Sequence, residues 1–198
     1  GATLIATSVI SPFMVPLKIL LMSAFLLALP FVLRQVWAFV APGLYSHEKK
    51  LVLPLVVSST VLFFIGVAFC YYFVFGQVFA FIQSFAPKSI TAAPDIEAYL
   101  SFVLSMFLAF GLAFEVPIAV VVLARMGVVS IEKLKNFRGY FIVIAFVIAA
   151  IVTPPDVVSQ LALAVPMCIL YEIGIWAAQL FIKHTKAPGT AEEEPASS

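Results

Sequence analysis

Charge is what this chain has least of. Only 11% of its 198 residues are Asp, Glu, Lys or Arg, against 64% hydrophobic, and the mean hydropathy is +1.16. A soluble domain of this length could not cover its surface with so few charges, so much of its solvent is lipid. A net charge of +1, with no basic run longer than Lys49-Lys50, argues against a nucleic-acid surface. Cysteine is as sparse: Cys70 and Cys168 lie in apolar runs, without a CxxC or a nearby His. Neither a disulfide framework nor a metal site is expected, and both read as buried structural thiols. The two histidines, His47 and His184, fall in polar stretches, and no Gly-x-Ser-Gly occurs. A Ser nucleophile with a His base inside the bilayer is therefore missing. Asp95 and Asp156 stand at loops, so a pair of intramembrane aspartates is missing too, and there is no nucleotide-binding loop. The inventory predicts no enzyme and no cofactor. The first residues lack the basic region, apolar core and cleavage site of a signal peptide.

What the chain does have is long apolar runs. Five are read as spans, at about 13–39, 51–82, 96–124, 139–152 and 157–182, preceded by a surface-lying segment. The second exceeds the roughly 20 residues a bilayer needs, so it tilts or projects. The fourth is short enough to pass for a buried core helix; it is read as a span because the charges require the chain to change sides there. The expected fold is all-α: one polytopic bundle over 1–186, then a polar, acidic tail over 187–198 that is read as disordered. Asp95 and Ser130 are placed to cap helices. Pro30, Pro117 and Pro166 interrupt spans and predict kinks.

Positive charge sets the orientation. With the first loop inside, Arg34, Lys49, Lys50, Arg125, Lys133, Lys135, Arg138, Lys183 and Lys186 are cytoplasmic, and only Lys18 and Lys88 lie outside. The tail is then cytoplasmic and the first residue external. Five spans starting outside without a signal are awkward to insert, which leads to the expectation of at least one further span upstream.

Four places could carry function. Glu115 lies deep in an apolar run, where a charge costs roughly 2.5–3.5 kcal/mol on insertion scales, so the protonated acid is the cheaper state. Gly111 and Ala119, four residues to either side, leave room for close approach of a helix or ligand. Glu172 is read as structural, snorkelling or pairing with charges around Lys183. Thr153, Asp156 and Gln160 form a polar patch at the outer rim, suited to a partner helix, although capping explains Asp156 as well. The fourth place is the polar hinge Trp37-Ala-Phe-Val-Ala-Pro-Gly-Leu-Tyr-Ser-His-Glu-Lys-Lys50. Interfacial aromatics and cytoplasmic lysines are ordinary there, but Glu48 does nothing for topology. An accessible carboxylate suits guanidinium groups, which it binds in bidentate fashion.

Ser11-Pro-Phe, the run Gln35 to Lys50, Phe110-Gly-Leu-Ala-Phe-Glu-Val-Pro117, Thr153-Pro-Pro-Asp156 and Tyr171-Glu-Ile-Gly174 together resemble the TatC family, the multispanning receptor of the twin-arginine protein translocase. The likeness runs to about Lys183. It implies a cup-shaped, six-span protein of the bacterial inner membrane with both ends cytoplasmic. On that pattern an N-terminal cytoplasmic segment and first span are absent here, leaving five spans. It further implies that Glu48 receives the paired arginines of a signal peptide with Phe39 beside it, and that Glu115 faces the concave side. Thr153, Asp156 and Gln160 would meet the single-span partners TatA and TatB, and other TatC copies would assemble alongside. Folded proteins would then be exported at the expense of the proton gradient. The competing reading is a proton-coupled secondary transporter in which Glu115 relays protons among Pro-broken helices; no internal repeat or second intramembrane ionisable partner supports it.

Overall fold

The computed structural model describes residues 8–40, 49–85, 95–153 and 156–183. Glu48 with its loop 41–48, the loop 86–94, Pro154-Pro155 and the tail lie outside the described residues. Nearly all of the described residues are helical, the exceptions being short turns and cap residues. Helix α1 is Ser11–Val40 and α2 Lys49–Phe69; a single π-helical turn, Cys70–Val74, joins α2 to α3, Phe75–Phe85. Then come α4 Ile96–Ala113, α5 Val116–Arg125, the short α6 Ile131–Asn136, α7 Arg138–Val152 and α8 Val157–Lys183.

Local chemistry accounts for most of these boundaries. Asp95 caps α4, its side chain accepting from the Glu97 amide at 2.8 Å, and Ser130 caps α6 through the Lys133 amide at 3.3 Å. Gly127, at φ 71°, supplies the left-handed residue that ends α5. Pro16, Pro30, Pro54 and Pro166 all lie within continuous helices. Pro117 does not: it brings no amide to the Ala113 carbonyl, and the ladder opens into a turn at Phe114-Glu115. Glu115 N donates back to Leu112 O at 3.0 Å, and Ala119 N restarts the helix on Glu115 O at 2.9 Å. Of the three interior prolines expected to kink, Pro117 is the one that breaks its helix. The π turn was not legible as such; the Phe75 amide reaches Cys70 O, five residues back. The added residue turns Cys70 and Val74 inward and leaves Tyr71, Tyr72 and Phe73 exposed.

Four helical stretches are long and apolar enough to cross a bilayer, at Ser11–Val40, Val52–Ala80, Ile96–Arg125 and Val157–Phe181. Helix α7 is a shorter apolar helix of 15 residues, about 22 Å long. Burial follows membrane logic. Large apolar groups such as Leu27, Phe31, Ile151 and Trp176 face outward, whereas Ser11, Ser59, Thr153 and Ser159 are buried. This is a polytopic helical membrane fold.

Since lipid is as apolar as the side chains, these helices are held by close packing. Small residues sit where it is closest. A Cβ on Gly66 of α2 would lie 2.5 Å from the Phe110 carbonyl oxygen of α4, and the Phe63 ring fills the place a Cβ on Gly111 would take. A Cβ on Gly174 of α8 would stand 2.9 Å from Pro117 Cα and 3.0 Å from Val120 Cβ. At one end of the bundle Glu97 fastens α4 to α1, taking Lys18 Nζ at 2.9 Å and Ser11 Oγ at 2.8 Å. The opposite end carries Arg125, Lys133, Lys135 and Arg138 and is called the basic end below.

Gly174→Ala should lower stability by about 1–3 kcal/mol through overpacking against Pro117. Thermal unfolding in detergent checks this, with Gly76→Ala as control: nothing lies within 4 Å of a Cβ there, so it should be neutral or mildly stabilising.

Candidate functional site

The end of α1 delivers the chain to the hinge. Trp37 is not an interfacial anchor, as a Trp before a polar loop suggests; it is 5% exposed and donates its Nε1–H to Ser59 Oγ on α2 at 2.8 Å. Leu29, Leu33, Phe63 and Val122 close round it. Phe39, two residues on, is 88% exposed. One aromatic thus fixes the end of α1 and the other is presented outward. Glu48, the carboxylate this arrangement would serve, lies outside the described residues.

Glu115 occupies the break that Pro117 makes. Both carboxylate oxygens are closed off from the surface and neither has a hydrogen-bond partner among the described residues. The Ser59 hydroxyl is the polar group facing it. The gaps at Gly111 and Ala119 are taken up inside the molecule, Gly111 by the Phe63 ring and Ala119 by the cluster around Trp37. The approaching helix is therefore the chain's own α2. A groove between α2, α5 and α8 runs beside this point, but its wall is built by Phe114, Pro117 and Ile118 and not by Glu115.

The polar patch at the turn into α8 is differently arranged from its reading. Thr153 is buried at 6% exposure and does not lie on an open rim. Its amide and its Oγ1 both bond Ala149 O, at 2.9 and 2.7 Å, closing the end of α7. Asp156 caps α8, with Oδ2 accepting from the Ser159 amide at 2.7 Å. Its Oδ1 and the buried Ser159 hydroxyl have no partner among the described residues. Gln160 follows one turn later, half-buried. Ser159 belongs with this patch and was not singled out in the sequence; its place between Asp156 and Gln160 was the available signal.

The motif Tyr171-Glu-Ile-Gly174 receives a role residue by residue. Tyr171 donates to the Leu134 carbonyl at 2.9 Å and stacks on Phe141 with centroids 4.1 Å apart, so α8 holds both α6 and α7. Glu172 pairs with Arg138, Nε to Oε1 at 2.6 Å, while the Lys183 side chain lies outside the described residues. Gly174 admits Pro117. The Arg138 partnership spans 34 positions in the chain, which no local pattern reveals. Cys70 is buried and Cys168 partly so, both as free thiols. No group of three or more His, Cys, Asp or Glu suited to a metal occurs among the described residues.

Comparison with known proteins agrees across sequence and structure. The family model described as TatC, Sec-independent protein translocase protein, matches residues 1–166. The Sec-independent protein translocase protein TatC of Halothiobacillus neapolitanus is 54% identical over 194 residues, which is 98% of this chain and 53% of the relative. The chain thus spans about half the length of that relative. The protein of the same name in Escherichia coli K12 is 50% identical over 182 residues, 92% of this chain and 70% of its own. A crystal structure of the twin-arginine translocase receptor TatC superposes with a TM-score of 0.78 at 42% identity, covering 90% of this chain and 79% of that one. A second crystal structure of that receptor, in DDM, gives a TM-score of 0.79. With the family model, the curated relatives and the solved receptor structures in agreement, the chain belongs to the TatC family of Sec-independent protein translocase proteins.

Proposed function

We propose that the protein acts as the signal-peptide receptor and assembly platform of a twin-arginine translocase, a binding protein and not an enzyme. The observation that carries this reading is the likeness of nine-tenths of the chain to a solved twin-arginine translocase receptor. In this reading α7 is a fifth, short crossing, and the basic end faces the cytoplasm of a bacterial inner membrane. The hinge between α1 and α2 lies at that end, where Glu48 takes the two guanidinium groups of the signal peptide. Phe39 offers the peptide an exposed apolar face, held in register by the buried Trp37–Ser59 bond two residues earlier.

At the opposite end Asp156 and Gln160 offer polar atoms to the single-span subunits TatA and TatB, and Thr153 shapes the turn from inside. Asp156 Oδ1 and the buried Ser159 Oγ, without partners among the described residues, make this turn more polar than capping requires. Glu115 is the third element: an unpaired carboxyl costs stability, and its retention at the Pro117 break is accounted for by use in transport. The proton-coupled transporter reading is not favoured. Glu115 does not line the groove, and Ser59 is the polar side chain facing it.

Hydrogen bonds to charged groups are worth about 1.5–3 kcal/mol, so Glu48→Ala in the full-length protein should weaken binding of a twin-arginine peptide roughly tenfold or more. Site-specific crosslinking in membranes measures this, and unchanged crosslinking removes the role given to Glu48. Gln160→Leu should reduce co-purification of the single-span subunits; normal recovery would leave Gln160 a packing residue. Glu115→Leu should raise thermal stability by about 1–3 kcal/mol while transport is lost, because it deletes a buried group with no hydrogen-bond partner among the described residues. A fall in stability would mean that the carboxyl is satisfied in the folded protein.

A further inference from the structure

The groove between α2, α5 and α8 has a volume of about 630 Å3. Its three walls run from Pro54 to Ile65, from Phe114 to Arg125 and from Leu170 to Phe181. Each advances eleven positions, which at 1.5 Å per residue is about 16 Å. A bilayer's hydrocarbon is about 30 Å thick, so the groove is one leaflet deep. Its lining is apolar except for Ser58 and Arg125, and the Ser58 hydroxyl is engaged by the Leu55 carbonyl at 3.0 Å. Arg125, in the last turn of α5, is the charge in the wall, and it stands at the basic end with Lys133, Lys135 and Arg138 close behind it in the chain.

We infer that this groove binds an anionic phospholipid, one acyl chain lying along the apolar slot and the phosphate held by the Arg125 guanidinium. Depth decides in favour of a lipid: the slot begins at mid-membrane and ends where a headgroup would lie. Charge selects an anionic one, since a planar guanidinium grips phosphate in bidentate fashion and the basic end favours negative headgroups. The inference does not depend on the receptor reading.

The test uses the full chain purified in dodecyl maltoside and exposed to equal amounts of phosphatidylglycerol and phosphatidylcholine. Native mass spectrometry then counts the lipid retained. One phosphatidylglycerol per chain should persist, preferred roughly fivefold over phosphatidylcholine, the preference one Arg confers. Arg125→Gln should abolish the preference, and Val121→Trp, which fills the slot, should release both lipids. Arg125→Gln keeps a polar, unbranched side chain and does not fill the slot, so it remains decisive if the Trp variant fails to fold. Equal retention of the two lipids by the unaltered chain would overturn the proposal, as would an undiminished preference in Arg125→Gln.

Discussion

Helices in lipid gain nothing from hiding apolar surface from one another, so this bundle depends on how closely its backbones approach. Three glycines set that approach. Gly66 brings α2 against the Phe110 carbonyl, Gly111 receives the Phe63 ring, and Gly174 lets α8 lie on Pro117. Around them Phe63, Phe110, Met106 and Ile175 fill the interior together with small hydroxyl residues such as Ser59 and Ser159, while many other large apolar side chains face outward. Helix α1, with only Ser11, Leu29, Leu33 and Trp37 buried, is attached at its two ends. The ties are the Lys18–Glu97 pair at one end and the Trp37–Ser59 bond at the other.

Pro117 turns this packing into a site. A residue without an amide at that point opens the α4–α5 ladder, and the break sets Glu115 opposite Ser59, the acceptor of the Trp37 indole. The same proline is the surface on which Gly174 rests and part of the groove wall that leads down to Arg125. One backbone feature therefore connects the end of α1, the intramembrane carboxyl and the packing of α8. The Arg138–Glu172 pair contributes less, being about two-fifths exposed on each side. The buried Tyr171–Leu134 bond is the firmer attachment of the basic end.

Composition and charge placement were enough to determine a polytopic helical membrane protein, because burying so many apolar residues with so few charges has no other solution. Asp95 and Ser130 marked helix starts because capping is a local contact between neighbours in the chain. Motif order pointed to the family, and Glu115 stood out because a carboxyl in an apolar run is costly wherever its neighbours lie. Tertiary structure decided everything that needed a second segment. It buried Trp37 against Ser59, turned Thr153 inward onto α7, gave Glu172 to Arg138 and filled the space beside Gly111 with Phe63. It also widened α2 into a π turn and cut a leaflet-deep groove ending at Arg125. Trp37 and Ser59, Glu172 and Arg138, and Gly111 and Phe63 lie tens of residues apart, and local pattern carries no information about which helix will stand beside which.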